Sequence, residues 1–227
     1  MVGISFYGTS FFRFEDKGCI VLVDPYLNRD IPKLSEISAE KIMGKTKKPV
    51  LVLVTHEHFD HFDKELITAL LSRPNTFLGG HDHLLNQIES VPKYRKRSLE
   101  TNKPMSMYGV SVKPIPVHHP NSFDPWGYEI NFGGTVIFHS GDTHLSKAFN
   151  EVKANVLILP IGGINTMDVV DAVRAVKTMK PDIAIPMNYG SNGNGKAFQE
   201  EFCEKIKKSI LKTKTVVLKP CECFNIK

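Results

Sequence analysis

Features that would assign this chain of 227 residues to some familiar classes are scarce. It has 4 cysteines, at positions 19, 203, 221 and 223, which are too few for a disulfide framework in a chain of this length. No apolar run approaches the roughly 18 residues that span a bilayer, which excludes membrane insertion. The first residues run directly into alternating apolar positions, without the charged and apolar regions of a secretory signal. We therefore expect a cytoplasmic protein in a reducing compartment.

The chain also lacks a strong excess of one charge. Lys and Arg together number 29 against 24 Asp and Glu, which gives a net charge of +5. This surplus permits an anionic substrate but falls short of the basic signature of nucleic-acid binding. The basic runs at 93–97 and 205–219 are interpreted as solvated faces. The expected partner is a small-molecule substrate and not nucleic acid, and a homo-oligomer remains open.

The hydrophobic pattern predicts one α/β domain over residues 1–227. Short apolar runs at 2–7, 11–14 and 19–23 predict an antiparallel meander. The continuous apolar run at 50–54 is typical of a strand with both faces covered. Further strands are predicted at 110–117, 127–132, 135–138, 156–159, 183–185 and 215–218, and helices at 62–71, from 168 onward and at 196–211. Two packed sheets with helices outside them follow from this order.

Ligand-type residues are concentrated directly after the apolar run at 50–54. Three of the 9 histidines and two carboxylates fall within six residues there, at positions 56–61. Two imidazoles two positions apart on an extended backbone point to the same side. Histidine and aspartate are preferred ligands of zinc and similar metals. We therefore predict one metal bound by His56 and His58, with Asp60 and His61 directed to a neighbouring position.

The same segment has the form HxHxDH, the signature of the metallo-β-lactamase superfamily, and the chain resembles that superfamily over nearly its whole length. His119 matches the third histidine of its first metal site, and Gly141-Asp142-Thr143 matches the GDT motif whose aspartate bridges two metals. Pro160-Ile161-Gly162-Gly163 and Thr166-Met167 match segments of a narrower branch, the ascorbate-6-phosphate lactonase-like, uncharacterised metal-dependent hydrolases. The resemblance implies an α/β fold, the four-layer αββα sandwich of the metallo-β-lactamases.

The resemblance also implies a set of metal ligands. They are His56, His58, His119 and Asp142 for the first metal, and Asp60, His61 and Asp142 for the second, which Asn188 or a water completes. Asn188 stands where the family has a histidine, in a segment of the form PMHYG. A neutral amide oxygen is a weaker zinc ligand than imidazole. We therefore expect one or two Zn²⁺ ions, with the second bound more weakly or replaced by Mn²⁺ or Mg²⁺.

Other polar residues are predicted to support the ligands. Adjacent residues on a strand point to opposite faces, so only one of His118 and His119 can reach a metal, and the family pattern favours His119. His139, just before the bridging aspartate, is interpreted as a hydrogen-bonding residue behind the ligands. Asp24 fits either an aspartate behind the ligands or a turn residue ahead of Pro25.

Two loops are predicted to contact the substrate. Asn121 and Trp126 follow the predicted ligand His119. Lys196 lies in a glycine-rich stretch at 190–197 that nearly matches a phosphate-binding loop but has Ala197 in place of the hydroxyl residue. We expect Lys196 and the backbone amides of this stretch to help bind an anionic group.

The resemblance and the ligand set together imply a metal-dependent hydrolase. Its metal-bound hydroxide, oriented by Asp60 as the catalytic residue, would attack a carbonyl carbon or a phosphorus. No G-x-S-x-G segment occurs, and no serine nucleophile is needed. The expected substrate is small and anionic, a lactone or a phosphoester. Two alternatives stay open: a phosphodiesterase or nuclease acting on nucleic acid or phospholipid, and a metal-binding protein without catalytic activity.

Overall fold

Two mixed β-sheets face each other in the computed structural model, which describes residues 1–189 and 195–226. The first sheet contains β1 (Val2–Phe6), β2 (Phe12–Glu15), β3 (Ile20–Val23), β4 (Val50–Leu53), β5 (Thr76–Gly80), β6 (Lys96–Ser98) and β14 (Cys223–Ile226). The second contains β7 (Met105–Met107), β8 (Val110–Pro116), β9 (Trp126–Phe132), β10 (Thr135–His139), β11 (Val156–Pro160), β12 (Ile183–Met187) and β13 (Lys214–Thr215).

The two sheets share one plan, with an antiparallel half and a parallel half. The spatial order of the first is β14-β1-β2-β3-β4-β5-β6, antiparallel from β14 to β3 and parallel from β3 to β6. The order of the second is β13-β12-β11-β10-β9-β8-β7, parallel from β13 to β10 and antiparallel from β10 to β7. The predicted opening meander and the hairpin of β9 and β10 are both confirmed.

The centre of the first sheet is buried on both faces. Val21 and Val23 of β3 enter the core between the sheets, whereas Ile20 and Leu22 enter the core beneath the helices. Strand β4 alternates between the two cores in the same way. Because both faces are covered, these strands are continuous apolar runs instead of alternating ones. The sequence pattern at 50–54 indicates this correctly.

Helices cover the outer face of each sheet. They are α1 (Pro32–Ser35), α2 (Ala39–Met43), α3 (Lys64–Leu71), α4 (Asp82–Leu85), α5 (Ala148–Glu151), α6 (Val169–Met179) and α7 (Gly195–Lys207). The first four pack on the first sheet and the last three on the second. With the core between the sheets, this gives the predicted four-layer αββα sandwich. In the part of the chain that the structure describes, no helix is both long and apolar enough to cross a membrane.

Three of the four strands that the pattern missed, β6, β7 and β14, lie at sheet edges, whereas the fourth, β5, lies inside the first sheet. Together with β13, these edge strands end the two sheets and contain only two to four residues each. An edge strand this short has too few buried positions to show an alternation of apolar and polar residues. For the same reason the strand predicted at 215–218 forms only at Lys214–Thr215. The helix predicted to end at 211 ends at Lys207.

The loops that carry the predicted ligands leave the sandwich at the carboxyl ends of its strands. Asp24 follows β3, His56 to His61 follow β4, His119 follows β8, Asp142 follows β10 and Asn188 follows β12. Strands of both sheets therefore contribute to one group of loops. This placement brings together residues that lie far apart in the chain, such as Ser10 and Asp142, whose side chains are 3.5 Å apart.

Replacing Asp63 tests the start of α3, where its side chain accepts a 2.9 Å hydrogen bond from the Leu66 backbone N–H. We expect Asp63→Ala to lower the free energy of unfolding by about 1 kcal/mol, because this N–H loses its acceptor. Urea unfolding measures the change. Asp63→Asn keeps an acceptor oxygen and serves as the control. Equal losses in both variants would contradict the role of the cap.

Candidate metal centre

Three imidazole rings converge at the predicted first metal site. The distance from His56 Nε2 to His58 Nδ1 is 3.1 Å, and that from His119 Nε2 to His58 Nδ1 is 3.0 Å. All three facing atoms lie within 4.8 Å of one another. His56 and His58 come from the loop after β4, and His119 comes from the loop after β8. The structure therefore brings together the three histidines that the sequence pattern assigned to one metal.

In two of these rings, a backbone oxygen on the side away from the centre determines which ring nitrogen carries the proton. His119 Nδ1 is 3.1 Å from the backbone oxygen of Asn165, and His58 Nε2 is 3.4 Å from that of Asn121. A carbonyl oxygen only accepts hydrogen bonds, so both ring nitrogens carry the hydrogen. In the neutral rings the opposite nitrogens, which face the centre, then present lone pairs.

The third ring is fixed through a hydroxyl group. Thr55 donates its hydroxyl hydrogen to Asp24 Oδ2 at 2.7 Å, so its oxygen accepts from His56 Nδ1 at 3.0 Å. His56 Nε2 is consequently unprotonated as well. Three lone pairs that all lie within 4.8 Å of one another, two of the distances being about 3 Å, repel each other unless a cation lies among them. Zinc–nitrogen bonds of about 2.0–2.1 Å at tetrahedral angles place ligand nitrogens roughly 3.3 Å apart, so these residues fit a metal ion with little movement.

Burial keeps His56 and His119 in the neutral form that binds metals. It is the largest cause that lowers the pKa of His56 far below its usual value, and the neighbouring His61, His119 and His58 lower it further. Burial also lowers the pKa of His119, although Asp142 acts in the opposite direction. Both rings therefore stay unprotonated on the side that faces the centre at neutral pH.

A second group of potential ligands shares His56 with the first. Ligand atoms of His56, His61 and Asp142 lie within 4.8 Å of one another. His61 Nδ1 bonds to Asp24 Oδ2 at 2.7 Å, whereas its buried Nε2 lies 3.4 Å from Asp142 Oδ2 and makes no hydrogen bond among the described residues. Burial disfavours the charged ring, but Asp142 and Asp24 raise the pKa of His61 well above its usual value. A cation beside Nε2 would replace that proton.

The turn that presents Asp142 is built from buried polar contacts. His139 Nε2 donates to the backbone oxygen of Ser10 at 2.9 Å, and its Nδ1 accepts from the Gly141 N–H at 3.2 Å. Gly141 has a φ of +60°, and a Cβ there would approach the Trp126 backbone oxygen to 2.8 Å, so the position requires glycine. His139 thus lies behind the ligands and supports the turn, as its place in the sequence indicated.

Asn188 faces the same carboxylate from the end of β12. Its Nδ2 donates to Asp142 Oδ1 at 2.8 Å and to Oδ2 at 2.7 Å. Both oxygens only accept, so the amide nitrogen and not the amide oxygen points toward them. In this arrangement Asn188 anchors Asp142, and its assignment as an oxygen ligand of a second metal stays a prediction. The backbone of Asn188 packs directly against Gly162. A Cβ at Gly162 would lie 2.3 Å from the Asn188 backbone oxygen, so a larger residue there would displace Asn188.

Two of the remaining predicted site residues lie beside the centre. Asp60 is half-buried and belongs to neither group of clustered ligand atoms, but it lines an adjoining cavity together with Asn188. Asn121 is exposed, with a φ of +63°, and touches the centre only through its backbone oxygen. The assignment of Asp60 as a second-site ligand and as the catalytic residue stays a prediction.

Trp126 and Lys196, two of the predicted substrate contacts, lie elsewhere. Trp126 is only 2% exposed and packs in the core between the sheets, so its indole ring cannot reach a substrate without opening that core. The side chain of Lys196 is 90% exposed, lies 3.8 Å from Glu200 and does not line the cavity. Most of the glycine-rich stretch before it, residues 190–194, lies outside the described residues.

Glu57 is a supporting residue that the sequence reasoning missed. It accepts hydrogen bonds from the Ser122 hydroxyl at 3.0 Å and from the Phe123 N–H at 2.8 Å, and so ties the loop after His119 to the loop after β4. Its position between His56 and His58 places it on the opposite side of an extended backbone. That signal indicates an outward carboxylate, but nothing in the spacing identifies its partners.

Comparison with known proteins agrees with this geometry. The model of a beta-lactamase superfamily domain matches residues 3–188. A UPF0173 protein of Pyrococcus furiosus is 33% identical over 221 residues, which cover 96% of this chain and 97% of that protein. A UPF0173 metal-dependent hydrolase of Aeropyrum pernix is 29% identical and covers 99% of this chain and 97% of its own length. The structure of Igni18, a metallo hydrolase of Ignicoccus hospitalis, superimposes with a TM-score of 0.83 at 26% identity, covering 100% of this chain and 99% of that one.

The fold and the histidine cluster thus define a member of the metallo-β-lactamase superfamily, and the chain belongs to that superfamily. Within it, the chain belongs to the UPF0173 family of metal-dependent hydrolases. The predicted superfamily resemblance is confirmed by these matches. The narrower likeness to lactonases stays a prediction.

Replacing Asp24 tests the support behind the ligands. Asp24→Asn would put an amide N–H against either the His61 Nδ1–H or the Thr55 hydroxyl, so we expect zinc affinity to fall by about 10- to 100-fold. Competition with a zinc indicator measures this affinity. Asp168→Asn is the matched control, since asparagine keeps the cap that Asp168 provides to α6. Unchanged affinity in a folded Asp24→Asn variant would contradict the role assigned to Asp24.

Replacing Asn188 tests the second metal position. We expect the unaltered protein to keep about one ion per chain after mild chelation and Asn188→His to keep more, because imidazole binds zinc better than an amide. Metal analysis of the protein counts the ions. The φ of +48° at Asn188 is a conformation that histidine also tolerates. Asn75→His, at a φ of +62° outside the site, is the control. Two equally tight zinc ions in the unaltered protein would refute this expectation.

Proposed function

We propose that the protein hydrolyses a small carboxylic ester, lactone or phosphoester at the centre formed by His56, His58 and His119. The observation that carries this proposal is the convergence of three unprotonated imidazole nitrogens, held 3.0 and 3.1 Å apart by partners on their far sides. The names of the relatives support it, since the protein of Aeropyrum pernix is named a metal-dependent hydrolase and Igni18 is described as a metallo hydrolase.

Zn²⁺ is the ion that we propose for this centre, because three imidazoles with a fourth position open are the ligand set of many catalytic zinc sites. When bound, zinc lowers the pKa of a coordinated water to about 7 and polarises a substrate oxygen. His61 and Asp142 are proposed to hold a weaker second ion, Zn²⁺, Mn²⁺ or Mg²⁺. Asn188 keeps the Asp142 carboxylate in place through its two hydrogen bonds.

Asp60 is the proposed catalytic residue. Its carboxylate belongs to the loop that carries His56, His58 and His61, and it also lines the cavity in which a substrate can lie. A carboxylate in this position can accept a hydrogen bond from the attacking water and so orient it toward the scissile bond. Asn121 remains a candidate for substrate contact because its backbone already touches His58.

The residues that line the cavity bear on the charge of the substrate. Among the described residues that line the cavity, Lys219 is the cationic one. Lys196 and Trp126 are not part of the proposal, since one lies away from the cavity and the other is buried. We therefore favour a lactone or another carboxylic ester over a phosphoester. The single-domain organisation, the cytoplasmic location and the oligomeric state stay predictions.

Replacing Asp60 tests the proposed reaction. Asp60→Asn removes a proton acceptor but no imidazole, so we expect kcat to fall by about 10²- to 10⁴-fold while the first-site metal content is retained. Zinc-loaded protein is assayed on a generic ester, a lactone and a bis-phosphodiester. Asp30→Asn, on an exposed stretch of the neighbouring loop, is the control. Inactivity of the zinc-loaded unaltered protein on all three substrates would refute the proposal and favour metal binding without catalysis.

A further inference from the structure

A cavity of about 480 Å³ opens beside the metal centre. It adjoins the centre at Asn188, which belongs to its wall and bonds to Asp142, and Asp60 of the ligand-bearing loop is also part of the wall. The rest of the wall comes from the first strand and the turn after it, the loop after β3, the start of α7 and the segment before β14. Its volume lies within the range of about 300–1,000 Å³ that small-molecule sites occupy. A substrate with its scissile bond at the metals would extend into this space.

The wall of this cavity is mainly apolar. Seven of its side chains are aromatic or aliphatic: Phe6, Tyr26, Ile31, Phe59, Tyr189, Leu218 and Pro220. Only Asp60 and Lys219 are charged among the described residues that line it. Such a wall offers little compensation for burying a charged substrate group away from water.

The exposure of Phe59 indicates that this wall is a binding surface. It lies inside the metal-binding loop, yet its side chain is 77% exposed and belongs to none of the apolar cores. Tyr26 meets it edge to face, with ring centroids 6.1 Å apart. A large aromatic side chain left in water beside a polar centre is typical of a binding surface, because burial of that ring stabilises the bound state.

We propose that this cavity binds an uncharged alkyl or aryl group joined to the scissile bond, so that the preferred substrates are apolar esters or lactones and not small anions. This inference rests on the proposed hydrolytic function and specifies its substrate class. The occupant is the substrate itself, because the cavity adjoins the metal centre through Asn188, which bonds to Asp142, and is also lined by Asp60. The net charge of the chain led us to expect an anionic substrate. The apolar residues of the cavity wall lead us to propose an uncharged one instead.

A homologous series of substrates tests the proposal on the zinc-loaded protein. Acetate, butyrate, hexanoate and octanoate esters of one alcohol are compared by kcat/KM, with the succinate half-ester as the charged analogue of butyrate. We expect kcat/KM to rise up to about fourfold per methylene until the cavity is filled, which corresponds to about 0.8 kcal/mol for each buried CH₂. We expect the half-ester to be hydrolysed more slowly than butyrate. A flat or falling series, or a preference for the half-ester, would overturn the proposal.

Variants of the wall locate the effect. Ile31→Trp fills the cavity and should reduce the ratio of the octanoate to the acetate kcat/KM to near one. Ile210→Trp is the matched control, because Ile210 is fully exposed and does not line the cavity. Phe59→Ala is a second variant. Because Phe59 is exposed, its replacement should not destabilise the fold, and we expect it to reduce the same ratio. An unchanged ratio in both Ile31→Trp and Phe59→Ala would overturn the assignment of the cavity.

Binding to the metal-free protein separates this proposal from the proposed function. The uncharged fluorophore N-phenyl-1-naphthylamine should bind saturably, be displaced by octanol and lose affinity in Ile31→Trp but not in Ile210→Trp. This result would support the apolar site even if no ester were hydrolysed, in which case only the proposed function would fail. No binding would overturn the apolar site even if esters were hydrolysed. A third result would also overturn the proposal. If the protein dimerises, and Phe59→Ala abolishes both the dimerisation and the fluorophore binding, the wall is a contact surface for a second copy of the chain.

Discussion

One buried carboxylate, that of Asp24, orders much of the metal centre. Asp24 is fully buried and accepts three hydrogen bonds of 2.7 Å, from the Thr55 N–H, the Thr55 hydroxyl and His61 Nδ1. The bond to His61 fixes that ring directly. The bond to the Thr55 hydroxyl acts one step further, because it leaves the oxygen of Thr55 free to accept from His56 Nδ1. One side chain thereby sets the proton positions of two rings.

The backbone around the centre is held in conformations that most residues avoid. Asp24 and Asn188 have φ values of +52° and +48°, and Asn121 and Asn165, whose backbone oxygens bond to ligand rings, have +63° and +54°. Asparagine and aspartate tolerate this region better than other residues with a side chain. These four are among the ten non-glycine residues with positive φ in the described part of the chain, and they let the loops turn sharply at the edge of the sandwich that carries the candidate ligands.

The sequence predicts the layers of the fold and the convergence of His56, His58 and His119 well, for separate physical reasons. Doubly buried strands such as β4 are continuous apolar runs, and the two-residue spacing of His56 and His58 on extended backbone has one geometric meaning. The edge strand β14 and the contacts of Glu57 and Phe59 were not predictable, since they depend on which loops meet in space. Trp126 was predicted to contact the substrate but is buried between the sheets. Its closeness to His119 in the sequence does not indicate which side of the strand faces the core.

Both sheets supply ligands to one centre, and this has a consequence for cohesion. The loop after β4 belongs to the first sheet, whereas His119 and Asp142 follow strands of the second. Trp126 N–H and the Tyr128 hydroxyl, from β9 of the second sheet, also donate to the backbone after β4, at 3.0 and 2.7 Å. An ion bound here therefore ties the two halves of the sandwich together, and separating them would release it. Metal binding and the free energy of separating the two sheets would be thermodynamically linked. Conditions that loosen the contact between the sheets should therefore lower the metal occupancy of this centre.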